Sequence, residues 1–88
     1  MKTIWKYPLV LEVEQGVRMP VGARLLHLDN QHGQVAMWAM VDTEAPMLSR
    51  RILLAGTGTN DVPHNCPYIG TILDGQFVWH FFDGGEEG

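Results

Sequence analysis

The sequence predicts an all-β fold, a small single-domain sandwich or open barrel of six to seven short, mainly antiparallel strands. Two observations carry that expectation. Short runs of β-branched and aromatic residues recur along the 88 residues, separated by clusters of Gly, Pro, Asn and Asp. No segment has the pattern of a long helix, and none repeats another.

Thr3-Ile4-Trp5-Lys6-Tyr7 alternates large and polar residues as a half-buried strand does, and Pro8, which has no N–H for a ladder, marks it as an edge. Leu9 to Val13 reads as a second strand ended by a turn at Glu14-Gln15-Gly16. Val17-Arg18-Met19 is short and runs into Pro20-Val21-Gly22, an irregular connection. Arg24–Asp29 and Gln34–Asp42 flank Asn30-Gln31-His32-Gly33 and predict a hairpin with a four-residue loop. Residues 34–42 are apolar throughout and rich in Ala and Met, which also suits a buried helix; their length and the preceding Gly33 favour a central strand covered on both sides. Asp42 to Ser49 is a connection in which Thr43 would cap a single helical turn. Extended structure resumes over 51–55, and Gly56 to Pro67 is a long polar loop of the kind that carries function. Tyr68–Leu73 and Gln76–Phe82 around Asp74-Gly75 give the clearest local signal, a two-residue hairpin. One β domain is expected over 1–83, with an acidic, Gly-rich, flexible tail over 84–88.

Six Lys and Arg against ten Asp and Glu, a net charge of −4, exclude affinity built on neutralising a nucleic-acid backbone. A single small anion bound by Arg18, Arg24, Arg50 or Arg51 remains compatible with that balance. With Cys66 the one cysteine, neither an internal disulfide nor a four-cysteine zinc site can form. No segment has signal-peptide or membrane-span character, so a cytoplasmic location is expected.

Trp5-Lys6-Tyr7-Pro8, Met19-Pro20-Val21-Gly22-Ala23, Trp38-Ala39-Met40-Val41-Asp42, Gly56-Thr57-Gly58, Tyr68-Ile69-Gly70-Thr71 and Val78-Trp79-His80-Phe81-Phe82 together resemble a family of short uncharacterised proteins encoded by bacteriophages and bacteria. The resemblance covers almost the whole chain. It implies a phage or prophage origin and no particular chemistry.

Arg50-Arg51 beside Gly56-Thr57-Gly58-Thr59 suggests an anion site, because guanidinium forks grip phosphate oxygens and glycines admit backbone N–H groups. A plain turn explains Gly-Thr-Gly better, since the Lys-Ser or Lys-Thr ending of a phosphate loop is missing. Adjacent strand residues also point to opposite faces, so Arg50 and Arg51 cannot easily meet one ligand atom. Trp5, Tyr7, Tyr68 and Trp79 offer faces for a nucleobase to stack on. Trp38 and Trp79 read as core residues. His64, Cys66 and His80 with Asp83 are the one grouping that suggests catalysis or metal, but no recognised spacing unites them, and His80 reads better as a hydrogen-bonded structural residue.

The expectation is a non-enzymatic, homo-oligomeric protein without cofactor, metal or catalytic residues. It would capture a small anionic ligand, plausibly a nucleotide-derived immune signal, in a site shared between subunits. The ligand residues would be Trp5, Arg50, Arg51, Thr57, Gly58, Thr59, His64 and Tyr68. The alternative is a protein-interaction module that inhibits a host protein through an apolar strand edge with an acidic rim; a small hydrolase using His64, Cys66 or His80 stands third.

Overall fold

The structure is a computed structural model that describes residues 1–87. Seven antiparallel strands form two sheets: β1 (Lys2–Pro8), β2 (Glu14–Pro20), β3 (Arg24–Gln31), β4 (Gln34–Asp42), β5 (Met47–Gly56), β6 (Tyr68–Asp74) and β7 (Phe77–Glu87). One sheet has the order β1-β4-β3, the other β2-β5-β7-β6. The sheets do not close into a barrel. Their edges β3 and β6 lie against each other, close enough that a Cβ on Gly70 would stand 3.1 Å from the Leu28 side chain.

The apolar run over 34–42 is the central strand of its sheet. Val35, Met37, Ala39 and Val41 enter the core, where they meet Met19, Ile52, Leu54, Ile72 and the fully buried Phe81 from the facing sheet. Alternation sends Ala36, Trp38 and Met40 to the other side. Trp38 is therefore not a core residue as expected: it lies on the outer face, its ring centroid 5.9 Å from that of His27 and 5.7 Å from Lys6 Nζ. Trp79 does pack against the core.

Five local expectations need correction. The second strand is 14–20, not 9–13; Leu9 to Val13 instead crosses between the sheets, held by Leu9 N–H donating to Val35 C=O and by the Gln15 amide bonded to both backbone groups of Val10. The first hairpin turns in two residues, His32-Gly33, both with positive φ as a type I′ turn requires, so Asn30 and Gln31 belong to β3. The second hairpin turns at Gly75-Gln76, one residue later than expected, with positive φ at Gly75 alone. Residues 84–87, expected in the tail, are the end of β7 and pair with β5, Glu86 opposite Arg50 and Glu87 opposite Ser49. Gly84 is the extra residue of a bulge there, and Gly85 has φ +93°. Between Asp42 and Met47 the chain makes a turn closed by Ala45 N–H donating to Asp42 C=O, with no helix.

The molecule measures 40 × 29 × 15 Å, and its radius of gyration, 13.0 Å, exceeds the about 12 Å of a compact chain of this length. A slab this thin has little interior, so ligand surfaces here are grooves between elements.

Candidate functional site

Arg50 follows Leu48 and precedes Ile52 on the side of β5 that faces the core, and its position at the open end of the sandwich decides its partners. Its Nε donates to Asp83 Oδ1 at 2.9 Å and its Nη2 to Asp83 Oδ2 at 2.6 Å, a two-pronged pair. Nη1 donates to the carbonyl of Ala23 at 3.0 Å and lies 3.9 Å from Glu86 Oε2. All the guanidinium nitrogens are thus engaged. The Arg50 hydrogen bonds hold the Asp83 carboxyl below its usual range, against burial, which raises it. Glu86 in turn accepts the N–H of Gly22 at 2.7 Å. This network ties the end of β7 to the connection between β2 and β3.

Arg51 points the other way, to the outer face. There its Nη2 donates to Glu14 Oε1 at 2.9 Å and its Nε lies 3.0 Å from Glu87 Oε1. The two arginines therefore sit on opposite faces, each already paired with carboxylates. An anion at either would have to displace them.

Strands β5 and β6 both run antiparallel to β7 and flank it, so residues 57–67 cross the end-to-start distance over β7. Thr57, at the start of that crossing, sits over the outer side of β7, its Oγ1 2.7 Å from His80 Nε2. Thr71 Oγ1 lies 3.0 Å from His80 Nδ1 and is also bonded to the Tyr68 hydroxyl. A chain Thr57–His80–Thr71–Tyr68 results, linking two expected ligand residues through His80, which is hydrogen-bonded at both ring nitrogens as its reading as a structural histidine expects. Gly58, with φ +86°, and Thr59, whose Oγ1 donates to Gly56 C=O at 2.9 Å, complete a turn. His64 lies farther along the loop with Cys66, whose thiol approaches the His64 carbonyl at 3.5 Å. Neither makes a hydrogen bond to His80, and no group of three or more His, Cys, Asp or Glu among the described residues could hold a metal ion. Trp5 is on edge strand β1, in the other sheet, 38% exposed.

The expected ligand residues thus fall into separate places. Thr57 and Thr59 line a groove of about 520 Å³ with Phe77 and Trp79, whose rings stack at 5.8 Å. Arg50 and Tyr68 line another, of about 530 Å³, where β3 meets β6; its wall also includes Gly22, Arg24, Leu26 and Asp83. In this second groove Tyr68 is 60% exposed, its ring edge-on to Phe82 at 5.9 Å. Arg24 is exposed and, among the described residues, makes no ion pair. Sequence reasoning named Arg24 only as one cation among four. What sets Arg24 and Arg18 apart from Arg50 and Arg51, the lack of a carboxylate partner among the described residues, is a long-range property.

No helix among the described residues is long and apolar enough to cross a membrane. Residues 1–88 match the family model of a domain of unknown function, DUF7352, and the chain belongs to that family. No curated protein and no solved structure matches it.

Proposed function

We propose that this DUF7352 protein is a non-enzymatic binding protein that takes a small anionic, ring-bearing ligand in the groove between Arg24 and Tyr68. The observation that carries the reading is the meeting, across the β3–β6 junction, of a cation without a carboxylate partner and an exposed aromatic ring. Arg24 would hold a phosphate and Tyr68 would stack on a base, while Arg50, locked on Asp83, shapes the wall. A nucleotide-derived signal has that chemistry. In this reading the protein is of phage or prophage origin, acts in the host cytoplasm and withholds the signal from a defence response.

The polar chain through His80 supports a non-enzymatic reading. A Thr57–His80 contact has the form of a nucleophile and its base, but the group on Nδ1 is the Thr71 hydroxyl, which carries no charge to stabilise an imidazolium.

Native mass spectrometry of protein purified from cells, followed by titration with mono-, di- and cyclic nucleotides, tests the proposal. A nucleotide-sized added mass is expected, with affinity falling at least about fivefold in Tyr68→Ala, in line with roughly 1–3 kcal/mol per stacked base, and falling also in Arg24→Ala, which removes the charged contact to phosphate. Binding that survives Arg24→Ala, or no binding of any nucleotide, overturns it.

A second reading, inhibition of a host protein, draws on edge strand β1, where Ile4 and Trp5 are exposed. Lys2 and Lys6 on the same strand give that edge a basic rim rather than an acidic one, so an acidic partner strand fits it. Retention of a host protein by the wild type and its loss in Trp5→Ala would favour this reading.

A further inference from the structure

Strand β2 is the free edge of the four-stranded sheet, at the opposite side from the groove at β6. Its backbone parity follows from the bonds that flank it. Leu54 N–H donates to Val13 C=O at 2.9 Å and Val21 N–H donates to Pro46 C=O at 2.8 Å, which makes odd-numbered residues the ones that bond to β5. In an antiparallel ladder the alternate residues then direct their N–H and C=O away from the sheet. Those residues are Glu14, Gly16 and Arg18, all exposed, and no backbone hydrogen bond outside the β2–β5 ladder uses them.

An unpaired edge is a template for another strand, and proteins usually blunt it with charge or proline. Here the charges are arranged differently. Glu14 and Arg18 stand two residues either side of Gly16, on one face, and Arg18 makes no ion pair among the described residues. A two-fold axis at Gly16 places Glu14 opposite the partner's Arg18 and Arg18 opposite the partner's Glu14. The same axis sets Gly16 against the partner's Gly16 in a hydrogen-bonded position, where the absence of side chains lets two backbones meet. Moving the axis by one residue, to Val17, keeps the outward groups facing each other but sets Glu14 against the partner's Pro20 and Arg18 against the partner's Gly16, so the charge match is lost. Pro20, without an N–H, ends the pairing.

We propose that this edge pairs with the same edge of a second copy, joining two four-stranded sheets into one continuous sheet across a two-fold axis at Gly16. About six backbone hydrogen bonds and two ion pairs would form. The exposed Val13, just before β2, is carried beside the Pro20 end of the partner. Because a single strand edge buries less than the about 1,600 Å² of a standard stable interface, the dimer is a weak, concentration-dependent one. Each copy keeps its own groove at β6, so the ligand site is not shared between subunits, and the dimer stands or falls apart from the ligand reading.

Sedimentation from micromolar to near-millimolar protein tests it, with the 9.9 kDa monomer mass expected to double. Arg18→Glu sets Glu against Glu14, and Glu14→Arg sets Arg against Arg18; each variant alone is expected to stay monomeric at every concentration. Mixed in equal amounts, they recover both ion pairs and are expected to form a heterodimer. A monomeric wild type, a single variant that still dimerises, or a mixture that does not, overturns the proposal. Since Glu14→Arg also loses its contact with Arg51, amide exchange in the wild type provides a measurement free of substitution. The Gly16 and Arg18 amides are expected to slow with concentration, and concentration-independent exchange would overturn the pairing.

Discussion

Replacing Arg50 separates a structural role for the arginine from an anion-binding one. The Arg50 and Asp83 side chains are 12% and 14% exposed and joined by two hydrogen bonds, and removing one partner of such a pair strands the other charge at a cost of about 3–5 kcal/mol. Against a total stability of about 5–15 kcal/mol for a small domain, Arg50→Met is expected to lower the melting temperature by at least about 12 °C. The double variant Arg50→Met, Asp83→Leu removes both charges of the buried pair and leaves only Glu86, 32% exposed, without its cation. It still loses the donor to Ala23 C=O and the acceptor for Gly85 N–H, two hydrogen bonds worth about 1 kcal/mol each. It should therefore cost about 2 kcal/mol, less than either single change. Urea unfolding of the four proteins measures the cycle. If Arg50→Met costs under about 1 kcal/mol, as an exposed pair would, or if the double variant costs the sum of the two singles, the pair is not what fastens β7 to the β2–β3 connection.

Further outcomes follow from the same contacts. Because Arg50 lowers the Asp83 pKa, the unfolded chain binds more protons than the folded one near and below pH 4. The Asp83 contribution is complete above the unfolded value, close to 3.8, and is lost as pH falls through the lower folded value; acid titration of Asp83→Asn should lack that part of the decline. Burial raises the Tyr7 pKa above 10.0, so stability should fall as pH rises past that value, and Tyr7→Phe should abolish this alkaline loss in a pH-dependent melt. Gly84→Ala would set a Cβ 2.9 Å from Arg51 Cβ and 3.1 Å from its carbonyl oxygen, and calorimetry should show a loss of about 1–3 kcal/mol. His32→Asn places a residue tolerant of φ +53° in the type I′ turn and should raise the melting temperature.

The strands that could be read from sequence are those whose information is local. Residues 34–42 are apolar on both faces, a pattern that suits a central strand: one face is covered by the other sheet, and the outer one is shielded only by side chains of the flanking strands such as Lys6 and His27. The second hairpin is legible, though its turn falls one residue later than Asp74-Gly75, because Gly75 supplies a turn conformation that few residues adopt. Leu9 to Val13 misled for the opposite reason: the run has the composition of a strand, but its neighbours are the crossing between sheets and the side chain of Gln15. Outer and inner faces of 34–42 could not be told apart either, since Trp38 suits a core as well as a surface shielded by Lys6 and His27.

The site was obscured by charge pairing over long sequence distances. An acidic, Gly-rich end ordinarily frays, so residues 84–88 read as a tail and Arg50-Arg51 read as unpaired cations. The two impressions have a single cause. Gly84 and Gly85 permit the bulge that keeps β7 alongside β5, and that pairing brings Asp83 and Glu86 to Arg50 and Glu87 to Arg51. Once the carboxylates are assigned, the charge available to an anion is no longer where arginines are most concentrated but where one lacks a partner. Arg24 meets that condition beside Tyr68 at the β3–β6 groove, and Arg18 meets it at the β2 edge. An acidic chain can in this way present two separate cationic positions, Arg24 on β3 of one sheet facing a ligand groove and Arg18 on β2 of the other facing the free edge.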